Sequence, residues 1–186
     1  MKTKPFNKNT VFSILLAAVT VAIIYRITPP YVADVFNVVI SKNRTTITDI
    51  HQARDIEMSK TVKLDHLNLV DNSRFRHPKL GDIGYSGDFF VDINAPFLVK
   101  KTGDYVFYVG SDDGFVFSVD GKKICEWTHD RPFTTDICHV NLSAGQHNFK
   151  LSYFDGYGNS GLSMSYAFAA DGTQYVAGDN SKYLDF

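Results

Sequence analysis

Asp112 and Asp113 are the side chains whose type and spacing point most directly to chemistry. They sit in Ser111-Asp112-Asp113-Gly114, and two adjacent carboxylates repel unless something offsets them. A hard divalent cation is the simplest offset. Calcium takes about six to eight oxygens at about 2.3–2.6 Å, drawn from carboxylates, carbonyls and water. The competing reading needs no metal, because aspartates at a corner accept backbone N–H groups and stabilise the turn. Catalytic patterns are lacking. His51, His66, His77, His129, His139 and His147 form no compact metal-ligand spacing. His129-Asp130 reads as a solvated loop pair. No nucleophile elbow or phosphate-cradling glycine loop occurs. Adjacent aspartates cannot face one another across a glycosidic bond, as the paired acids of glycoside cleavage do. The chain reads as a non-enzyme.

The elements around the aspartates must be strands. Tyr105–Val109 and Phe115–Val119 alternate aromatic and β-branched residues with polar ones, and Asp120-Gly121 closes the second run with a turn. Val62–Leu69, Phe89–Val99 (interrupted at Asn94-Ala95-Pro96), Lys123–Trp127, Thr135–Val140, Gln146–Phe154 and Leu162–Phe168 continue the pattern. Strands recurring about every ten residues, with turns between, predict an antiparallel β-sandwich or jelly roll. Asp71–Gly87 reads as loop. Cys125 and Cys138 lie thirteen positions apart in two strands joined by a loop. A disulfide is expected if the domain leaves the cytoplasm, with two free buried thiols as the alternative.

The N-terminus differs in character. Lys2, Lys4 and Lys8 precede an uncharged, mostly apolar run from Thr10 to Tyr25. Flanking residues extend it to spanning length by snorkelling. The expected role is an uncleaved transmembrane anchor over residues 1–27, N-terminus cytoplasmic and the remainder periplasmic or extracellular. A cleaved signal peptide is the rival. Val32, Val35, Phe36, Val39 and Ile40 recur at helical spacing, and Thr48 can cap a second piece, so residues 28–60 read as a helical arm. Its apolar stripe can pack on a partner helix or on its own domain. The sandwich is expected over 61–170 and a polar tail over 171–186, which either closes the sandwich or contacts a partner. A net charge of −1 among 186 residues carries no basic surplus for nucleic acid.

Gly103 to Phe107, Ser111 to Gly114, Asp120-Gly121, Leu142 to His147 and Tyr153 to Gly158, in that order, resemble the N-terminal module of anthrax protective antigen. The same module recurs in bacterial glycosidases and adhesins and in yeast flocculins. The resemblance runs roughly from Val62 to Phe168 and implies a jelly-roll-like, lectin-like β-sandwich. It also implies that Asp112 and Asp113 are joined by a cis peptide and bind one Ca2+ whose coordination a sugar's hydroxyls complete. Asp155 occupies the position of a further ligand, where the flocculin type has Asn. A surface turn is the alternative for Asp155. Gly156 to Gly161, with Tyr157 and Asn159, matches the variable loop that sets sugar preference. Trp127, Tyr157 and Phe115 are candidate aromatic platforms.

Two functions follow. One is a membrane-tethered, calcium-dependent carbohydrate-binding module of adhesion type that holds a glycan or polysaccharide. The other is a structural or docking subunit of a cell-envelope assembly, joined to a protein partner or a second copy through the 30–60 arm.

Overall fold

The computed structural model describes residues 7–28 and 31–186. Lys2, Lys4 and the Pro29-Pro30 break therefore lie outside the described residues. Two compact units are distinct, Met1–Tyr31 and Val32–Phe186. The first is helix α1 (Lys8–Ile27), capped by Asn7, whose side chain accepts the Asn9 N–H. It is long and apolar enough to cross a membrane, and none of its residues is buried.

The second unit is built of strands: β1 (Phe36–Asn43), β2 (Ile56–Leu64), β3 (Asn68–Leu69), β4 (Arg76–His77), β5 (Gly81–Asp82), β6 (Phe89–Val99) and β7 (Gly103–Asp112). There follow β8 (Phe115–Val119), β9 (Lys122–Trp127), β10 (Thr134–Leu142), β11 (Gly145–Asp155), β12 (Gly161–Phe168), β13 (Gln174–Val176) and β14 (Leu184–Asp185). One sheet runs β2-β1-β6-β11-β8-β9, with β14 added to β6; the other runs β10-β7-β12-β13, with β3 added to β12. Every ladder is antiparallel. Residues from both sheets share one aromatic-rich core, including Phe36, Phe89, Phe107, Phe117, Phe149 and Tyr166. This is the all-β arrangement that the alternation predicts.

Among the described residues of the expected helical arm at 28–60, those from 31 on form no helix, and the sandwich starts before residue 61. Phe36, Val38 and Ile40 are fully buried on one face of β1, while Asn37 points outward. The residues that fit a helical period also fit a period of two, and pairing with β2 and β6 decides between them. The apolar stripe packs into its own domain. Residues 44–55 then cross the outer face of the larger sheet, where Ile47 and Ile50 form a second small core with Phe90 and Phe154. The expected strand over Val62–Leu69 is instead the end of β2 and the two residues of β3.

Pro96 does not interrupt β6. The β1 ladder ends opposite Asn94, and β14 begins opposite Leu98. Pro96 therefore pairs with Asn148 of β11 on one side and falls in the gap between β1 and β14 on the other. The tail closes the sandwich: Leu184 is fully buried, and Phe186 packs against Phe36, Phe97, Phe149 and Tyr166. Cys125 and Cys138 form a disulfide. It joins β9, at the edge of one sheet, to β10, at the edge of the other.

Candidate functional site

The aspartates stand where β7 turns into β8, and the Asp112–Asp113 peptide bond is cis. A glycine must follow them: a Cβ on Gly114 meets Phe154 Cε1 at 2.5 Å and the Trp127 carbonyl oxygen at 2.7 Å. Behind the corner, the Tyr153 hydroxyl donates to the Asp112 carbonyl and accepts the Gly161 N–H. This ties β7, β11 and β12 together at one end of the sandwich.

The loop between β9 and β10 wraps the carboxylates. Phe133 N–H donates to Asp112 Oδ2 at 3.1 Å, and Arg131 N–H donates to Asp113 Oδ1 at 3.1 Å. From the other side, Gly156 N–H donates to Asp113 Oδ2 at 2.9 Å. The Arg131 side chain is buried. Its Nη2 reaches Ser111 Oγ at 2.8 Å and Asp136 Oδ2 at 2.5 Å, its Nε has no partner, and the guanidinium lies over the Trp127 ring at 5.0 Å. The turn reading is thus partly satisfied. An ionised carboxylate offers about four acceptor positions, so backbone donors leave lone pairs free on both residues.

Asp155 ends β11 beside them and is more deeply buried, at 1 % exposed against 8 % for Asp112 and 5 % for Asp113. It is no surface turn residue. Its Oδ1 is buried without a hydrogen-bond partner. Burial, and then the charges of Asp113, Asp112 and Asp88, push its pKa up to about 8 against weak relief from Lys42. Burial and the charge of Asp113 push Asp112 up to about 6, opposed by the Phe133 N–H and by Arg131. Burial also raises Asp113, opposed by the N–H groups of Gly156 and Arg131. Three carboxylates that resist ionisation, one with an orphaned oxygen, suit a cation with oxygen ligands.

Asp155 also lines a cavity of about 540 Å³. One wall is Tyr157, Gly158 and Ser160; the other comes from residues 73–75 and 82–87, read from sequence only as loop. The walls are laced together by Phe75 N–H to Ser160 Oγ (2.9 Å), Ser160 N–H to the Ser73 carbonyl (3.0 Å) and Asp88 N–H to the Gly156 carbonyl (2.8 Å). Tyr157 is 93 % exposed, so packing does not account for it. Trp127 and Asn159 are not among the lining residues. Trp127 instead pairs opposite Phe115 at the outer edge of its sheet, and Phe115 is buried in the core.

A second acidic cluster competes on geometry. Donor atoms of Asp65, His66 and His77 all lie within 4.8 Å of one another, the one such group among the described residues. Its hydrogen bonds argue against a metal. His77 Nε2 lies 2.9 Å from Asp65 Oδ1, and His77 Nδ1 accepts the Lys79 N–H at 3.3 Å. A ligating imidazole donates its outer N–H rather than accepting there. Lys79 Nζ already sits 2.6 Å from Asp65 Oδ2. The cluster is a closed network in which a cation is already supplied.

Comparison with known proteins agrees with this fold. The PA14 domain family model matches residues 81–180. Among solved structures, the PA14 domain of the MpAFP antifreeze protein superposes with a TM-score of 0.63 at 16 % identity, over 81 % of this chain and 90 % of that one. A PA14 sugar-binding domain from an RTX adhesin gives 0.60 at 16 % identity, over 77 % and 95 %. The A domain of epithelial adhesin 6 from Candida glabrata, solved with Galβ1-3GlcNAc, gives 0.55 at 13 % identity, over 84 % and 89 %. No curated protein sequence matches.

Proposed function

Because the chain belongs to the PA14 domain family, we propose that it is a non-catalytic, adhesion-type carbohydrate-binding module in which Asp112, Asp113 and Asp155 hold calcium beside a glycan pocket. The observation that carries this reading is the orphaned Asp155 Oδ1, buried next to two further carboxylates and set in a cavity wall. Bound calcium supplies neutralising charge and coordination positions for sugar hydroxyls. The chain's own part is to hold the acids in place through the N–H groups of Arg131, Phe133 and Gly156, and to border the pocket with Tyr157. Tyr157 covers an apolar sugar face; Trp127 and Asn159, outside the cavity, meet only a longer glycan. Affinity for a single sugar unit is weak, and repeated units or clustered copies raise it.

In this reading α1 is a single-pass anchor in the inner (plasma) membrane, with the sandwich periplasmic or extracellular. Its length of 20 residues supports that, as does a disulfide suited to an oxidising compartment. The docking alternative loses the arm from its motive, since the apolar residues at 36–40 are taken up by β1 and its neighbours, and rests on α1 alone.

Thermal unfolding of the full chain in mild detergent, with calcium and with chelator, tests the metal reading. Calcium at a hundredfold excess over its Kd adds about 2.7 kcal/mol. That is a rise of roughly 5–10 °C for a domain of this size. Identical melting curves with and without the ion overturn it.

A further inference from the structure

The loop that wraps the acidic corner hangs between two sheet edges. β9 ends one sheet and β10 ends the other, so each is hydrogen-bonded to a single neighbouring strand. The loop starts where the Thr128 carbonyl accepts the Ile50 N–H at 2.9 Å, and it joins β10 at Thr134, opposite Ser111. Among the described residues, 130–133 hydrogen-bond to the rest of the domain through the N–H groups on Asp113 and Asp112 and through the Arg131 guanidinium, beside a local bond from the Thr134 hydroxyl to the Pro132 carbonyl. That guanidinium reaches forward to the Thr134 carbonyl and to Asp136. Cys138 follows Asp136 by two residues on the same inward face of β10, opposite Phe107 as Asp136 is opposite Val109. The disulfide to Cys125 fixes that face against β9. One line of contacts thus runs from the disulfide through Asp136 and Arg131 to the two N–H groups that hold the carboxylates.

Resting on the calcium reading above, we propose that Cys125–Cys138 is a redox lock on the acidic corner, which holds its cation tightly only while the disulfide is intact. A dithiol reductant opens the lock. Its thiolate attacks the Cys125 sulfur, the more exposed of the two, and the S–S bond breaks with Cys138 leaving as thiolate. The reductant's second thiolate then attacks its own sulfur in the mixed disulfide and releases Cys125. Two electrons pass to the chain, both cysteines take up protons, and the reductant ends as a disulfide. β9 and β10 are then free to part, the Asp136–Arg131 pair loosens, and the N–H groups of Arg131 and Phe133 leave the carboxylates for part of the time. Apparent affinity falls by the fraction of time the loop stays closed. A disulfide that only raised stability would leave the affinity of the folded protein unchanged.

The experiment compares the full-length protein in mild detergent, oxidised and after dithiothreitol. Amide hydrogen exchange is followed without metal, and calcium affinity by titration calorimetry. Reduction speeds exchange at Arg131 and Phe133 by about tenfold and leaves the amides of β7 and β11 as they were. It weakens calcium binding about fivefold, as a loop closed roughly a fifth of the time requires, and reoxidation restores both. Cys125→Ser combined with Cys138→Ser matches the reduced form with or without dithiothreitol. In Asp136→Asn, which cuts the line of contacts, the two redox states agree within about twofold. Unchanged exchange or unchanged affinity on reduction overturns the inference and leaves the calcium reading standing, as does a redox effect of full size in Asp136→Asn. Faster exchange throughout β7 and β11 also overturns it, since the bond is then a general staple of the sandwich. No calcium binding by the oxidised protein overturns both readings.

Discussion

Two acidic clusters in this sandwich differ in how their charge is handled. Asp65 is surrounded by donors: burial disfavours its ionised form, but hydrogen bonds from Lys79 and His77 and the charges of His66 and Lys79 outweigh that and hold it near pKa 2. Asp112 and Asp113 accept three backbone N–H groups and Asp155 Oδ1 accepts none, yet burial and their mutual repulsion win and all three pKa values rise. The tighter cluster is the poorer metal site, because its acceptors are occupied and a lysine already stands in the cation's place. The looser one keeps an orphaned oxygen. On the proposed calcium reading, residual hydrogen-bonding capacity of the ligating atoms is the better guide to the ion than their proximity.

The largest effect expected is at His77, which is fully buried and bonded at both ring nitrogens. His77→Ala leaves a void and leaves Asp65 Oδ1 with His66 as its remaining imidazole partner, and costs about 2–4 kcal/mol in chemical denaturation. The calcium-induced melting shift should survive in that variant; its loss would merge the two clusters into one functional unit. Next in size, Asp155→Asn keeps the shape and removes a charge. It should abolish most of the roughly 5–10 °C calcium shift without unfolding the metal-free protein. An undiminished shift would assign the ion to other residues. The smallest effect concerns pH. Asp65 has a folded pKa below its unfolded value of 3.8, so its contribution is complete above pH 3.8 and is lost as pH falls through about 2. After solvent screening this is about 1 kcal/mol. Asp65→Asn should flatten the melting temperature between pH 4 and 2 relative to wild type.

What sequence reasoning could reach follows the range of the interactions involved. The β7–β8 corner was legible because its signal is local: alternation on either side of a turn that needs Gly114. The Cys125–Cys138 bridge was legible from its short spacing across one loop, although the two strands belong to different sheets. Residues 36–40 were misassigned because apolar residues there satisfy two periods, and sheet pairing settles which one applies. Asp155 entered through family resemblance alone; nothing in its neighbours' types reveals that β11 ends beside Asp112. The cavity wall at 73–87 gave no signal, since its strands β4 and β5 are two residues each and its place depends on contacts with Ser160. The one hint available was a glycine-rich stretch carrying Arg74, Asp82 and Tyr85, whose packing role was not evident.

Trp127 is the chain's single tryptophan. Its backbone carbonyl abuts Gly114 at the acidic corner, and its half-exposed ring lies beside the Arg131 guanidinium. Excited beyond the tyrosine absorption band, the protein's fluorescence therefore comes from one chromophore at the edge of the site. Emission colour and quenching by a soluble collider can follow the occupancy of that corner in real time, without a label.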